Sequence, residues 1–131
     1  MIIENICPEG QENNSFTPAK KIDMGNSYMI FVYGVQPDKN KNNEAFSDDI
    51  EQQTENVFEN INSILELAGA TMNDVVKAQI FITDINDLKK VSAIRNKWFI
   101  HSKPISTLLE VNAMTRKGTK IEIEVTAVIK K

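Results

Sequence analysis

Cysteine, histidine and tryptophan occur once each in this 131-residue chain, and glycine only five times. The single thiol, Cys7, excludes an intramolecular disulfide, and its isolation fits a reducing compartment. One histidine, His101, and no cysteine pair leave nothing from which a zinc site or a Cys–His nucleophilic dyad could be built. No metal and no cofactor is expected. An excess of positive charge is missing too. Fifteen lysines and arginines stand against 18 aspartates and glutamates, a net charge of −3, which argues against nucleic acid or an anionic membrane as partner. Long apolar runs are also lacking: the stretch 28–32 falls far short of the ~20 residues a membrane helix needs. The opening residues, Met1-Ile2-Ile3-Glu4-Asn5, carry neither a basic region nor a long apolar core, so a signal peptide is not expected and the cytoplasm is the expected location.

What is present is ordinary for a globular domain: 41% hydrophobic and 25% charged residues. The length suits one domain over residues 1–131. Residues 1–15 read as a loop-rich lead-in, with breakers and polar side chains crowding 7–18. Lys20–Asp23 reads as a short strand. Ser27–Tyr33 reads as a stronger one, apolar on both faces and ended by Gly34 and Pro37. A helix is expected from Ser47 or Asp48, either of which can cap it, with Ile50, Val57, Ile61, Ile64, Leu65 and Ala68 forming one stripe and Gly69 stopping it. Val75–Thr83 is the next expected strand. A second helix follows, capped within 84–87, with Leu88, Val91, Ala93, Ile94, Trp98 and Phe99 on its apolar side. Pro104 closes that region, and two strands end the chain, at 107–111 and 119–129. The class is α+β: a mainly antiparallel sheet with two helices on one face. Two helices cover one side only, yet Tyr28–Tyr33 and Ala78–Ile82 are apolar on both alternations. Burying ~800 Å² on each partner is typical of a stable interface, so self-association is expected.

Several short motifs follow one another: Phe16-Thr17-Pro18-Ala19, Phe31-Val32-Tyr33-Gly34, Gln53-Thr54-Glu55-Asn56-Val57 and Gly69 through Lys77. Ile80 through Leu88, Lys103 through Val111 and Lys120 through Val128 continue the series. Their order and spacing resemble the Rid (YjgF-type) family of reactive intermediate or imine deaminases, some of which carry the label L-PSP endoribonuclease. The resemblance covers residues 16–130. It implies a chorismate-mutase-like fold, a homotrimer, and small-molecule ligands in clefts between subunits. It also implies that Glu122 holds the water that attacks an imine carbon, and that Phe16, Tyr33, Gly34, Ser106 and Thr107 bind ligand. Three positions depart from the family pattern: phenylalanine for tyrosine at Phe16, tyrosine for serine at Tyr33, and serine at Ser106 where the family has its substrate-carboxylate arginine. A register shift does not restore that arginine, because Ile105 then takes the place. A serine offers one neutral donor where arginine offers a charged, planar fork, so carboxylate binding there should weaken by ~2 kcal/mol, some tens-fold.

The same residues have plainer readings. Glu122 and Glu124 share one strand face, and spacing alone allows both to be solvated carboxylates. Ser106 and Thr107 can be a polar pair opening a strand, and Tyr33 a core or interface aromatic. His101 reads as structural at a helix end; Arg116 and Lys117, before the last strand, can either reach into a cleft, where Arg116 would stand in for the missing arginine, or form a solvated turn, the plainer reading. Three functions compete. The first is hydrolysis of small imines or enamines to a carbonyl compound and ammonia, with 2-imino acids disfavoured by Ser106. The alternative is a non-catalytic trimer that binds or senses a small metabolite. An endoribonuclease stands third, because the acidic balance and single histidine give RNA little to bind.

Overall fold

The structure, a computed structural model, describes residues 1–131. The chain forms six strands, one more than expected, with two helices and two single 3₁₀ turns, and the five expected strands and two helices keep their expected order. They are β1 (Ile3–Ile6), β2 (Ala19–Asp23), β3 (Ser27–Val35), α1 (Ile50–Leu67), a turn at Met72–Asp74, β4 (Val75–Ile82), a turn at Ile85–Asp87, α2 (Leu88–Trp98), β5 (Ile105–Glu110) and β6 (Ile121–Lys130). They form one sheet in the order β1-β2-β3-β6-β4-β5. Every neighbouring pair is antiparallel except β4–β5, the pair joined through α2. A parallel pair needs such a crossover, since a hairpin cannot return the chain in the same direction.

Both helices lie on one face, and the core fills the space between. Ile50, Val57, Ile61, Ile64 and Leu65 of α1 are buried with Ala68, as the stripe requires. They meet Ile30 and Val32 of β3, Ile80 and Ile82 of β4, and Ile121, Ile123 and Val125 of β6. Phe58 joins the two helices: its ring stacks on Trp98 at 5.6 Å and meets Phe99 edge-on at 5.3 Å. The stripe of α2 is narrower than expected. Val91 and Ile94 are buried and Phe99 follows them in, but Leu88 and Ala93 stay exposed.

Several boundaries differ from the sequence reading, β6 among them, which begins at Ile121 and not at 119. Residues 1–15 are not all lead-in: Ile3–Ile6 pair with Ile22–Ala19 and extend the sheet. Four residues with only Ile6 buried leave no alternation to read. Helix α1 starts two residues later than expected, because Asp49 accepts the Glu51 N–H while Ser47 Oγ accepts the Asp49 N–H. Strand β5 begins at Ile105, two residues early. Finally, Gly34 does not end β3. The strand runs to Val35 through a bulge that sets Tyr33 and Gly34 together opposite Glu124, between the pairs Val32↔Val125 and Val35↔Ile123. Bulges re-aim side chains, and this one lies against the Glu122 carboxylate of β6.

Candidate functional site

Glu122 and Gly34 meet at the bulge. A Cβ on Gly34 would stand 2.4 Å from Glu122 Oε2 and 2.6 Å from its carboxyl carbon, so the missing side chain is what lets the carboxylate lie against the β3 backbone. Gln36, two residues on, donates its Nε2–H to Glu122 Oε1 at 2.8 Å and also reaches Thr115 Oγ1 at 3.2 Å. Oε1 is thereby engaged, while Oε2 has no protein donor and is not sealed from solvent. A carboxylate with one oxygen fixed and one open can orient a water and take a proton from it.

Beside it lies a cavity of about 790 Å³. The N-terminal loop contributes Phe16, the bulge contributes Tyr33 and Gly34, and the loop between β5 and β6 contributes Thr115 and Arg116. The rings of Phe16 and Tyr33 stand 6.4 Å apart. The N-terminal loop is tied down by the Tyr33 N–H, which donates to the Pro18 carbonyl at 2.8 Å. Burial pushes the Tyr33 hydroxyl above its ordinary pKa; Cys7 adds to the rise and the charge of Arg116 opposes it. The phenol therefore stays protonated at neutral pH and can donate.

Arg116 is not the solvated residue expected from a turn. It is half-buried, and its guanidinium donates to the Pro37 carbonyl. The anchor for its loop is Gln53, fully buried on α1. Gln53 Nε2 donates to the carbonyls of Ser47 (2.6 Å) and Gly118 (2.8 Å), and its Oε1 accepts the Lys120 N–H at 2.8 Å. One buried amide thus spans helix and loop and holds Arg116 over the cavity. Lys117, next in sequence, is exposed.

The structure therefore brings together Phe16, Tyr33, Gly34 and Glu122. It does not bring Ser106 or Thr107 to them within one protomer. Ser106 is level with Ala78 and Val125, Glu122 with Phe81 and Leu109. That is two strands across and three residues along, or ~14 Å between backbones. They also use opposite faces, since Ala78 and Val125 point into the helix-covered core. Ser106 lines a separate cavity of about 580 Å³ with Phe99, Lys103 and Pro104. Thr107 is exposed opposite Gln79. Glu124 opens onto the uncovered sheet face near Lys77 and Gln79. His101 is exposed in the turn after α2, and the Cys7 thiol donates to the Pro8 carbonyl.

Small α+β domains of this fold form a recognisable class. The family model described as "Endoribonuclease L-PSP" matches residues 13–129. A RutC family protein of Pyrococcus abyssi is 39% identical over 109 residues, covering 83% of this chain and 84% of that protein. The 2-iminobutanoate/2-iminopropanoate deaminase of Escherichia coli is 34% identical over 110 residues, 82% and 83% of the two chains. The crystal structure of the YjgF gene product of Escherichia coli superposes with a TM-score of 0.78 at 31% identity, covering 95% of this chain and 98% of that one. The chain belongs to the YjgF/Rid family. No helix in it is long and apolar enough to cross a membrane.

Proposed function

We propose that this protein hydrolyses small reactive imines, or their enamine tautomers, to a carbonyl compound and ammonia. One observation carries the reading: Glu122 is clamped by Gln36 at one oxygen, keeps the other without a protein donor, and lies against Gly34 and Gln36, two residues that line a cavity. In that geometry Glu122 takes a proton as water adds to the C=N carbon. The carboxylic acid returns that proton to the imine nitrogen, giving a neutral carbinolamine, and Glu122 then carries the carbinolamine's hydroxyl proton to the same nitrogen as the C–N bond breaks, so that ammonia and the carbonyl compound leave and the carboxylate is restored. The kinship with a named 2-iminobutanoate/2-iminopropanoate deaminase supports the same chemistry.

The acting unit in this proposal is a homotrimer in the cytoplasm. The chain's accessible surface, 7864 Å², exceeds the roughly 7,000 Å² typical of a monomer of this mass, an excess of the size a subunit interface removes. Ser106 and Thr107 lie on the edge strand, so only a neighbouring subunit could bring them to a cleft containing Glu122.

Imines generated in situ by an amino acid oxidase test the chemistry. Decay of iminobutanoate, and of an aliphatic imine without a carboxylate, should be faster with the wild type than with Glu122→Gln, by about 10²-fold for the better substrate. Equal decay with both proteins removes the hydrolytic mechanism. A ligand that binds without turnover would then make this a binding protein. RNA cleavage by rigorously purified protein, lost in Glu122→Gln, would favour the nuclease reading.

A further inference from the structure

The cavity beside Glu122 is larger than a short imine needs. A molecule such as 2-iminobutanoate has about seven heavy atoms, and at no more than the ~30 Å³ share of a water for each they fill roughly 200 Å³. The cavity measures about 790 Å³. The remainder leads away from the carboxylate. From Gln36 the chain passes through Pro37 to Asp38, whose Oδ1 accepts the Asn60 amide of α1 at 2.9 Å, and all four residues line the same space. Its far wall is a polar stretch of α1, where Asn60 and Ser63 stand one turn apart on one face.

The walls at that end offer different hydrogen-bonding groups. Ser63 donates its only hydroxyl hydrogen to the Glu59 carbonyl at 3.1 Å, so toward the cavity it can only accept. Asn60 donates through Nδ2 to Asp38, and its Oδ1 is left to accept. On the side of the N-terminal loop, Asn13 Oδ1 takes both the N–H (3.0 Å) and the hydroxyl (3.1 Å) of Ser15, which leaves Nδ2 as the donor. A group lying between them is best matched when it gives a hydrogen to α1 and accepts one from the loop. A hydroxyl does both, whereas an ammonium only donates, a carboxylate only accepts and a methyl does neither. Asp38 and Lys39 line this end together, so their opposite charges favour neither sign of ligand.

We infer that this end of the cavity, between Asn13 and the Asn60–Ser63 face of α1, is a subsite for a neutral hydroxyl on the substrate's carbon chain. The substrates it selects are imines whose chain carries a hydroxyl several bonds from the C=N carbon. The inference rests on reading the cavity as the imine-hydrolysing site and adds which imines that site prefers.

An amino acid oxidase acting on norleucine, 6-hydroxynorleucine and Nε-trimethyllysine generates imines that differ at the chain end: methyl, hydroxyl and fixed cation. All carry the same carboxylate, so its contribution cancels. Wild-type kcat/KM for the hydroxylated imine should exceed that for the norleucine imine about fivefold, the scale of one net hydrogen bond. The trimethyllysine imine should do no better than the norleucine one. Asn13 and Ser63 are exposed, and the double variant Asn13→Ala, Ser63→Ala should keep the wild-type circular dichroism while losing the preference. Asn62→Ala, on α1 but outside the cavity, should retain it. Equal kcat/KM for the methyl and hydroxyl imines in the wild type overturns the inference. So does a preference that persists in the double variant, or one for the trimethylammonium chain. Calorimetry with 6-hydroxyhexan-2-one against hexan-2-one separates the two readings. If the hydroxylated ketone binds more tightly through Asn13 and Ser63 while no imine is turned over, the subsite stands and the hydrolytic reading fails. If imines are hydrolysed through Glu122 without regard to the hydroxyl, the hydrolytic reading stands and the subsite fails.

Discussion

An alanine at position 34 would force its Cβ to 2.4 Å from Glu122 Oε2, a separation no real contact sustains. The atom that must yield is the end of a flexible side chain, so the backbone can stay where it is. Gly34→Ala should therefore cost about 1 kcal/mol or less in a urea titration. The displaced carboxylate, pulled from Gln36, should lower imine turnover by about 10²-fold, the scale expected for an ångström of misplacement. Turnover that survives while stability drops by several kcal/mol would show that Gly34 serves the fold instead. At this scale the sequence revealed the two partners but not what surrounds them. Glu122 sits in an alternating strand and Gly34 ends a short motif, so both stand out. Gln36 and Arg116 lie in irregular segments where no periodicity marks a side chain as inward. Their roles depend on a bulge and on a loop pinned from a distant helix.

The elements themselves were largely legible, because α1 and the three long strands bury residues at the periods that helices and strands impose. What stayed hidden was non-local. Strand β1 exists because β2 offers it an edge, and the β3 bulge exists because β6 holds both flanking pairs in register. Gln53 belongs to the same category: a polar residue on the apolar stripe of α1, fully buried yet bonded to Ser47, Gly118 and Lys120. Gln53→Leu keeps the volume but leaves two carbonyls and one N–H without a partner. An unpaired buried polar group costs roughly 1–3 kcal/mol, and local relaxation should spare one of the three, so a total loss of about 3 kcal/mol is expected. Equilibrium denaturation measures that loss.

Across the whole molecule, the helix-covered face and the bare face of the sheet obey different rules. On the covered face Ile30, Ile80, Ile121 and Ile123 are at most 1% exposed. On the bare face Phe31 is 45% exposed and Leu109 53%, with Ile105 on the edge strand at 69%. Lys77 and Glu124 lie among them, so this is a mixed surface in the manner of subunit interfaces, whose rims are polar. Placing a charge at Leu109 separates assembly from folding. Leu109 lies outside the buried core, and Leu109→Asp should leave the helical circular dichroism intact. Desolvating an unpaired carboxylate inside an interface costs several kcal/mol, enough to shift a micromolar assembly toward monomer. Sedimentation equilibrium should then give three times 14.8 kDa for the wild type and 14.8 kDa for the variant. A monomeric wild type at micromolar concentration refutes the trimer outright. A variant that remains trimeric moves the interface off β5. In that case Ser106 and Thr107, carried by the same strand, lose their route to the cleft of a neighbour.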